Sequence, residues 1–268
     1  MTTRRFLQLL AGAGCAAGTG GLAGCARRPL DLNIGVSCDF APWCYIDDAK
    51  GVFTGFDVEL ARAACARLGW HPIFHVMAWH EKERLLMTGK IDCVWSAFTI
   101  TGRTDRYTVL GPYADNNLVV LVQTDSPIRC NEDLAGKDVL VQSGSVGESV
   151  LLPRGQAAAL GARVGRLHST PYLQECGQYV RTGRTDASVL DEDMARLFVQ
   201  KSGGRLRLVA DEPLAREAFG VGFRPSDTAL RDRLAGAIRE LEAEGVCAAL
   251  AQRFFGQADR FRFERRVP

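Results

Sequence analysis

From about residue 31 onward, short apolar runs alternate with stretches of helical periodicity, and the alternation occurs twice. Residues 32–36 read as a strand and 57–68 as a helix, with Val58, Leu60, Ala61, Ala64, Cys65 and Leu68 on one face. Residues 72–77 read as a strand, 81–87 as a helix and 92–97 as a buried strand. Thr88-Gly89-Lys90-Ile91-Asp92 is then echoed by Thr182-Gly183-Arg184-Thr185-Asp186. In each, a Gly falls just past a helix end, where a left-handed cap needs it, before the chain enters a strand. Residues 139–141 running into Ser143-Gly144-Ser145 supply a further strand and helix start. Such alternation is the pattern of α/β folds. The echo predicts two lobes built alike rather than one sheet.

The apolar, extended segments 118–122 and 219–223 are the expected crossings between lobes. Lobe one is then discontinuous, residues 26–119 with 220–268, and lobe two is 120–219. Helices over 230–255, with Leu234, Ile238 and Leu241 in phase and Gly245 at the turn, return to lobe one. A chain of 268 residues is long enough for two such cores. A net charge of +2 gives no ground for a nucleic-acid partner. No window approaches the roughly 18 consecutive apolar residues that a spanning helix needs.

Residues 1–25 read as an export leader. Arg4 and Arg5 give a positive start, an apolar stretch begins at Phe6, and a run of Ala and Gly leads to Leu22-Ala23-Gly24-Cys25. The last four residues look like a bacterial lipobox, which makes Cys25 the expected lipidation site. Cys15 fits less well, since Gly12 stands where Leu is wanted. The twin arginines hint at the twin-arginine route, with a spacing off by one residue. The mature protein is expected in the periplasm or on the outer face of the cell membrane, held by lipid. Beyond Cys15 and Cys25 seven of the nine cysteines remain, an odd number that implies at least one free thiol or an intermolecular bond. No Cys-x-x-Cys pair exists.

Catalytic motifs are weak. His71 and His75 are four apart, but Pro72 between them spoils a helical metal site. The loop Ser143-Gly144-Ser145-Val146-Gly147 resembles a phosphate cradle without the Lys-Ser/Thr of a P-loop. Asp191-Glu192-Asp193 offers an acidic cluster, or a solvated helix start. No metal, cofactor or catalytic group is expected. Arg103 and Asp191 instead follow predicted strand ends, where open α/β sheets bind ligands. A cation and an anion there suit the two ends of a zwitterion.

Four stretches, in order along nearly the whole mature chain, resemble the polar amino-acid-binding branch of the periplasmic solute-binding proteins, family 3. They are Phe40-Ala41-Pro42-Trp43; Asp48-Ala49-Lys50-Gly51 with Gly55-Phe56-Asp57-Val58-Glu59-Leu60; Lys90-Ile91-Asp92 through Thr99-Ile100-Thr101; and Leu230-Arg231-Asp232 with Phe254-Phe255-Gly256. The resemblance implies a two-lobe type 2 binding-protein fold that closes on its ligand. It implies a monomer delivering an amino-acid-like solute to an ABC transporter permease, without enzymatic activity. The implied ligand-binding set is Ser37, Phe40, Trp79, Ser96, Ala97, Thr99, Arg103, Gln142, Val146 and Asp191. Phe40 and Trp79 would hold the ligand side chain between rings. Ser96 and Thr99 would offer backbone and hydroxyl groups. Arg103 and the Val146 backbone would take the carboxylate, and Asp191 the ammonium. The loop from Thr99 to Arg103 is one residue shorter than the family pattern. Ser37 stands where members selecting cationic side chains carry an aspartate, and Gln142 and Gly147 fill other side-chain-facing positions. A neutral polar ligand side chain is therefore expected over lysine, arginine or ornithine. Cys65 matches half of the family's helix disulfide, but Pro72 stands at the other half. Dehydratases acting on prephenate-like acids and sensory modules for membrane receptors are the alternatives on this scaffold.

Overall fold

The computed structural model describes residues 30–47 and 49–264, so the leader and Cys25 lie outside the described residues. Strands β1 (Asp31–Val36), β2 (Asp39–Phe40), β3 (Cys44–Asp47) and β4 (Val52–Thr54) precede helix α1 (Phe56–Leu68). Next come β5 (His71–Val76), a 3-10 turn at Trp79–Glu81, α2 (Lys82–Met87), β6 (Cys93–Thr99) and the long β7 (Thr108–Gln123). The chain continues through β8 (Asp138–Gln142), α3 (Val146–Leu151), α4 (Ala158–Gly161), β9 (Arg166–Thr170), α5 (Leu173–Arg181) and β10 (Ala187–Asp191). Then follow α6 (Glu192–Lys201), β11 (Leu206–Leu208), β12 (Ala215–Phe223), α7 (Thr228–Ala243) and α8 (Val246–Phe255).

The repeated sequence pattern has a topological counterpart. Parallel strands run β5-β1-β6 in the first half and β9-β8-β10 in the second, so each half places its strands in the same relative order. Gly89 and Gly183 precede the third strand of each set with φ of 73° and 71°, the left-handed conformation the echo anticipated. The halves do not form separate sheets, however, contrary to the expectation of two. β7 pairs antiparallel with β12 and then with β10, and Leu118 is the register partner of both Ala215 and Asp191. That shared residue makes one ladder, β5-β1-β6-β12-β7-β10-β8-β9, with β11 on the side of β7. Phe219, Gly220, Gly222 and Phe223 pair with β6, on the first half's side of the hand-over.

Helices α7 and α8 return to pack on α1, with Leu234, Ile238 and Leu241 buried as their spacing predicts. Asp193 also ties the halves together, accepting from Trp43 Nε1 at 2.8 Å and pairing with Arg260 at 2.8 Å. Glu192 accepts from Asn117 Nδ2 at 2.7 Å. The acidic run at 191–193 is thus neither a free base cluster nor simply solvated. Among the described residues Cys38, Cys44, Cys65, Cys93, Cys130, Cys176 and Cys247 are free thiols, and Pro72 lies in β5.

One backbone position governs entry into α1. Gly55 has φ +120°, and a Cβ there would sit 2.3 Å from the Trp43 carbonyl oxygen. Backbone strain and overlap act together, so Gly55→Ala is expected to lose about 3–5 kcal/mol of stability. Urea unfolding with an unchanged slope measures this, and a loss below about 1 kcal/mol would contradict the close approach.

Candidate ligand-binding site

A small cavity opens where the carboxyl ends of β1, β6, β8 and β10 face one another. Open α/β sheets leave a crevice at this end because successive crossover helices diverge there. All ten residues singled out in the sequence line it. Ser37 follows β1, Phe40 lies on β2, and Trp79 opens the turn after β5. Ser96, Ala97 and Thr99 belong to β6, and Arg103 to the turn beyond it. From the second half come Gln142 at the end of β8, Val146 at the start of α3 and Asp191 at the end of β10. Ser145 and Leu173 complete the lining and were not anticipated. Ser145 caps α3, accepting from the Glu148 backbone N–H at 3.1 Å.

The β6 wall is an irregular stretch of sheet. β1 pairs with β6 only at Cys93 and Val94, and the register against β12 breaks between Gly220 and Gly222, skipping 95–97. Such a break frees backbone groups from the ladder and re-aims side chains. Ala97 adopts φ 45°, a conformation that costs an L-residue energy unless neighbours fix it. Asp57 supplies the fixing. Its carboxylate accepts from the Ala97 N–H at 2.5 Å and from the Tyr113 hydroxyl at 2.8 Å. Burial raises the Asp57 pKa to about 7, against the effect of these two donors. The Ser96 hydroxyl is engaged as well, donating to Ser37 O at 3.0 Å and accepting from Ser37 N–H at 3.2 Å. It joins β6 to β1.

Charge is distributed unevenly across the cavity. Arg103 is buried, with its ring neighbour Phe98 4.8 Å from the guanidinium and one hydrogen bond, to Thr99 O at 3.3 Å. No carboxylate among the described residues forms an ion pair with it. Burial lowers its pKa, as desolvation does for any cation. Opposite, Asp191 accepts from Asn116 Nδ2 at 2.6 Å, and burial raises its pKa to about 6 despite that donor. Ser37 Oγ donates to Asp39 at 2.6 Å, and Asp39 does not line the cavity. Gln142 Nε2 reaches Pro171 O at 3.4 Å.

Two charged groups escaped the sequence reading. Glu217 on β12 is buried beside the site, accepting from Thr99 Oγ1 at 3.2 Å and from Asn116 Nδ2 at 3.4 Å. Burial first, and then the charge of Asp191, raise its pKa to about 7. In the sequence it stands beside Arg216 at the start of β12, ahead of the apolar run 218–223, and that charged pair was its signal. Lys82 on α2 crosses to the second half, donating to Gly144 O at 2.6 Å and to Trp79 O at 3.2 Å, 4.8 Å from the Trp79 ring. Burial, with repulsion from Arg103 second, lowers its pKa to about 7. Nothing local in the sequence marks this reach. Among the described residues no group of three or more His, Cys, Asp or Glu could hold a metal ion, and no helix is long and apolar enough to cross a membrane. His71 and His75 lie on β5, where His75 Nε2 meets Asn33 Oδ1 at 2.8 Å.

Two α/β halves with buried, incompletely paired charges facing one cavity define a ligand-binding protein of the type 2 periplasmic class. The chain belongs to the bacterial extracellular solute-binding proteins, family 3, whose profile matches residues 32–257. It is 28% identical to the L-cystine-binding protein TcyJ of Escherichia coli strain K12, covering 88% of this chain and 86% of that one. It is 27% identical to the arginine-binding extracellular protein ArtP of Bacillus subtilis, covering 84% and 86%. Among solved structures, Tv2483 bound to L-arginine superposes with a TM-score of 0.81 at 25% identity, covering 88% of this chain and 95% of that one. A mutant of ArgBP from T. maritima gives 0.75 at 31% identity, covering 85% and 96%.

Glu217 links this site to pH. Its pKa is raised from 4.5 to about 7 by folding, so the folded chain binds more protons than the unfolded one between those values. Ionising it therefore costs stability as pH rises through that window, on the order of 3 kcal/mol by pH 8, and the cost vanishes below the unfolded pKa. In the ligand-free protein Glu217→Gln is expected to be more stable than wild type at pH 8 and to gain less on acidification to pH 5. Equal stability of the two at pH 8 in urea unfolding would contradict the assignment.

Proposed function

We propose that this protein captures an L-amino acid with a neutral polar side chain outside the cytoplasm and presents it to an ABC transporter. The observation that carries the reading is the buried Arg103 guanidinium, which pairs with no carboxylate among the described residues and faces the same cavity as Asp191 from the other half. A buried cation without a counter-ion is unfavourable by several kcal/mol unless an anion arrives, so the geometry supports an anionic ligand group at that end. Arg103 and the Val146 N–H bind the α-carboxylate. Asp191, with backbone groups of Ser96 and Ala97 and the Thr99 hydroxyl nearby, binds the α-ammonium. Phe40 and Trp79 hold the side chain between their rings, and Ser37 and Gln142 meet its polar end. These neutral residues favour an uncharged side chain. The relatives named for cystine and arginine support the amino-acid class, and the histidine-binding periplasmic protein of Escherichia coli, 28% identical over 248 residues, belongs to the same set. Because those relatives are binding proteins, a non-enzymatic role is favoured over the dehydratase alternative.

Capture requires movement. The two halves act as lobes, residues 26–119 with 220–268 and residues 120–219, and separate about the paired strands β7 and β12 as a hinge. Lys82 meeting Gly144 O stabilises the closed arrangement from the cavity rim. Cys25 carries the lipid that holds the mature monomer at the membrane, and Cys25→Ser is expected to release it into the soluble fraction and abolish incorporation of labelled fatty acid. A variant that stays membrane-bound and labelled would remove the lipobox reading.

Ligand identity is to be found by thermal-shift screening against cystine, glutamine, histidine, arginine and other amino acids, since a ligand at 100 times its Kd adds about 2.7 kcal/mol. Against the hit, Arg103→Ala and Asp191→Ala are each expected to lose about 2–5 kcal/mol, roughly 30- to 4000-fold in affinity, by calorimetry. Unchanged affinity in both would end the zwitterion assignment. Binding an ammonium favours ionised Asp191, so its pKa falls on binding. Affinity is therefore full above the ligand-free value of about 6 and declines as pH drops below it, by about tenfold per unit at most. Asp191→Asn is expected to remove that decline.

A further inference from the structure

The hairpin of β2 and β3 carries two cysteines that the binding site does not use. Cys38 and Cys44 flank the turn Phe40-Ala41-Pro42-Trp43, and Phe40 is the register partner of Cys44. Phe40 and Cys44, as register partners, share a face of the hairpin, and Cys38 lies in the turn just before β2. The two sulfurs lie 3.5 Å apart, the one sulfur–sulfur hydrogen bond among the described residues. Cys44 is fully buried and Cys38 half-buried, so one of the pair is reachable from solvent and the other is sheltered directly behind it.

We propose that Cys38 and Cys44 are a disulfide site, joined in the exported chain by a thiol–disulfide oxidant such as an oxidised dithiol protein or glutathione disulfide. The Cys38 thiolate attacks one sulfur of the oxidant, forming a mixed disulfide and releasing the first thiol. Cys44 then attacks the Cys38 sulfur and expels the second, its proton passing to the departing thiolate. The protein loses two electrons and two protons, and the oxidant gains them as two thiols. Cys38 is the attacking sulfur because it is accessible and because its hydrogen bond with Cys44 holds its pKa below the ordinary thiol value. The hydrogen bond with Cys38, and then burial, push the Cys44 pKa up, which keeps Cys44 protonated while Cys38 reacts first; it gives up its proton in the second step. A disulfide needs its sulfurs about 2.05 Å apart, so each has roughly 0.7 Å to travel, within reach of side-chain rotation. The bond would close a short ring around Phe40, between Ser37 and α1, and stiffen that wall of the cavity. It is separate from the helix position, where Pro72 leaves Cys65 without a partner.

The proposal rests on export for its oxidant, but its test does not depend on ligand binding. Purified wild-type protein is equilibrated with excess glutathione disulfide, quenched with acid, unfolded in denaturant, alkylated and digested with trypsin. The peptide ending at Lys50 holds Cys38 and Cys44 and no other cysteine. It is expected to carry no alkyl group and to be about 2 Da light, for two lost hydrogens. Reductant is expected to restore double alkylation and to lower Tm by roughly 4–8 °C, and Cys38→Ser to be insensitive to reductant. Double alkylation after oxidation would overturn the proposal, as would Cys38 ending on glutathione or on a different cysteine with Cys44 alkylated. Unfolding before alkylation removes burial of Cys44 as a source of either result.

Discussion

Leu118 is where the molecule is held together. As β7 passes that residue it leaves β12 for β10, so a single strand supplies edges to both halves. Two parallel three-stranded sets, each with its crevice at the carboxyl end, are thereby fixed with those ends facing. The alternative arrangement, two sheets joined only by loops, would let the crevices drift apart and leave four ends of sheet open to solvent. The cavity lies where this continuous ladder brings the carboxyl ends of the two sets together.

Buried carboxylates do most of the positioning around it. Asp57 sits at the start of α1, yet its two hydrogen bonds fasten the irregular part of β6 and the outer stretch of β7. The stretch Gly55-Phe56-Asp57 is therefore a local sequence with a distant task, since Gly55 sets the approach of the helix and Asp57 fixes the wall opposite. Asn116 performs a related service between Asp191 and Glu217 through one amide nitrogen. Two acids and one arginine share this region, and their pKa values are held apart from ordinary ones by exclusion of water more than by one another.

What the sequence disclosed follows from what is local. Helix and strand periodicity marked β1, α1, β6 and α7, because burial of one face acts residue by residue. Glycine caps at 89 and 183 exposed the internal repeat, since a left-handed turn demands that residue whatever surrounds it. The ten lining residues meet because strand ends and the turns after them converge in any such sheet, and the resemblance supplied which of those positions to choose. The continuous ladder was not legible, as Leu118 looks like any other strand residue until its partners are known. Lys82 was equally hidden, for a lysine on a short helix has no local mark of reaching a carbonyl across a cleft. Glu217 stands beside Arg216 at the start of β12, and alternation along the strand, which exposes Arg216 and buries Glu217, was the available sign of a buried polar network. Ser96 illustrates the remaining limit. Its place on the wall was foreseen, while the engagement of its hydroxyl with Ser37 depends on the separation of two strands.

The hand-over at Leu118 also orders the assembly of the chain in time. Leu118 and Ala215 are register partners, so everything between them leaves the first half and returns at one point, as an insertion does. β6 has β1 on one edge from early on, but its other edge is covered only when β12 arrives more than a hundred residues later. The inserted segment, by contrast, contains all three of its parallel strands and its own apolar cluster around Val139, Val141 and Val189. In a chain emerging amino end first, the middle of the sequence is thus complete before its beginning is. Until then the half-built first unit presents an apolar strand edge, the kind of surface that chaperones cover and neighbouring chains pair with.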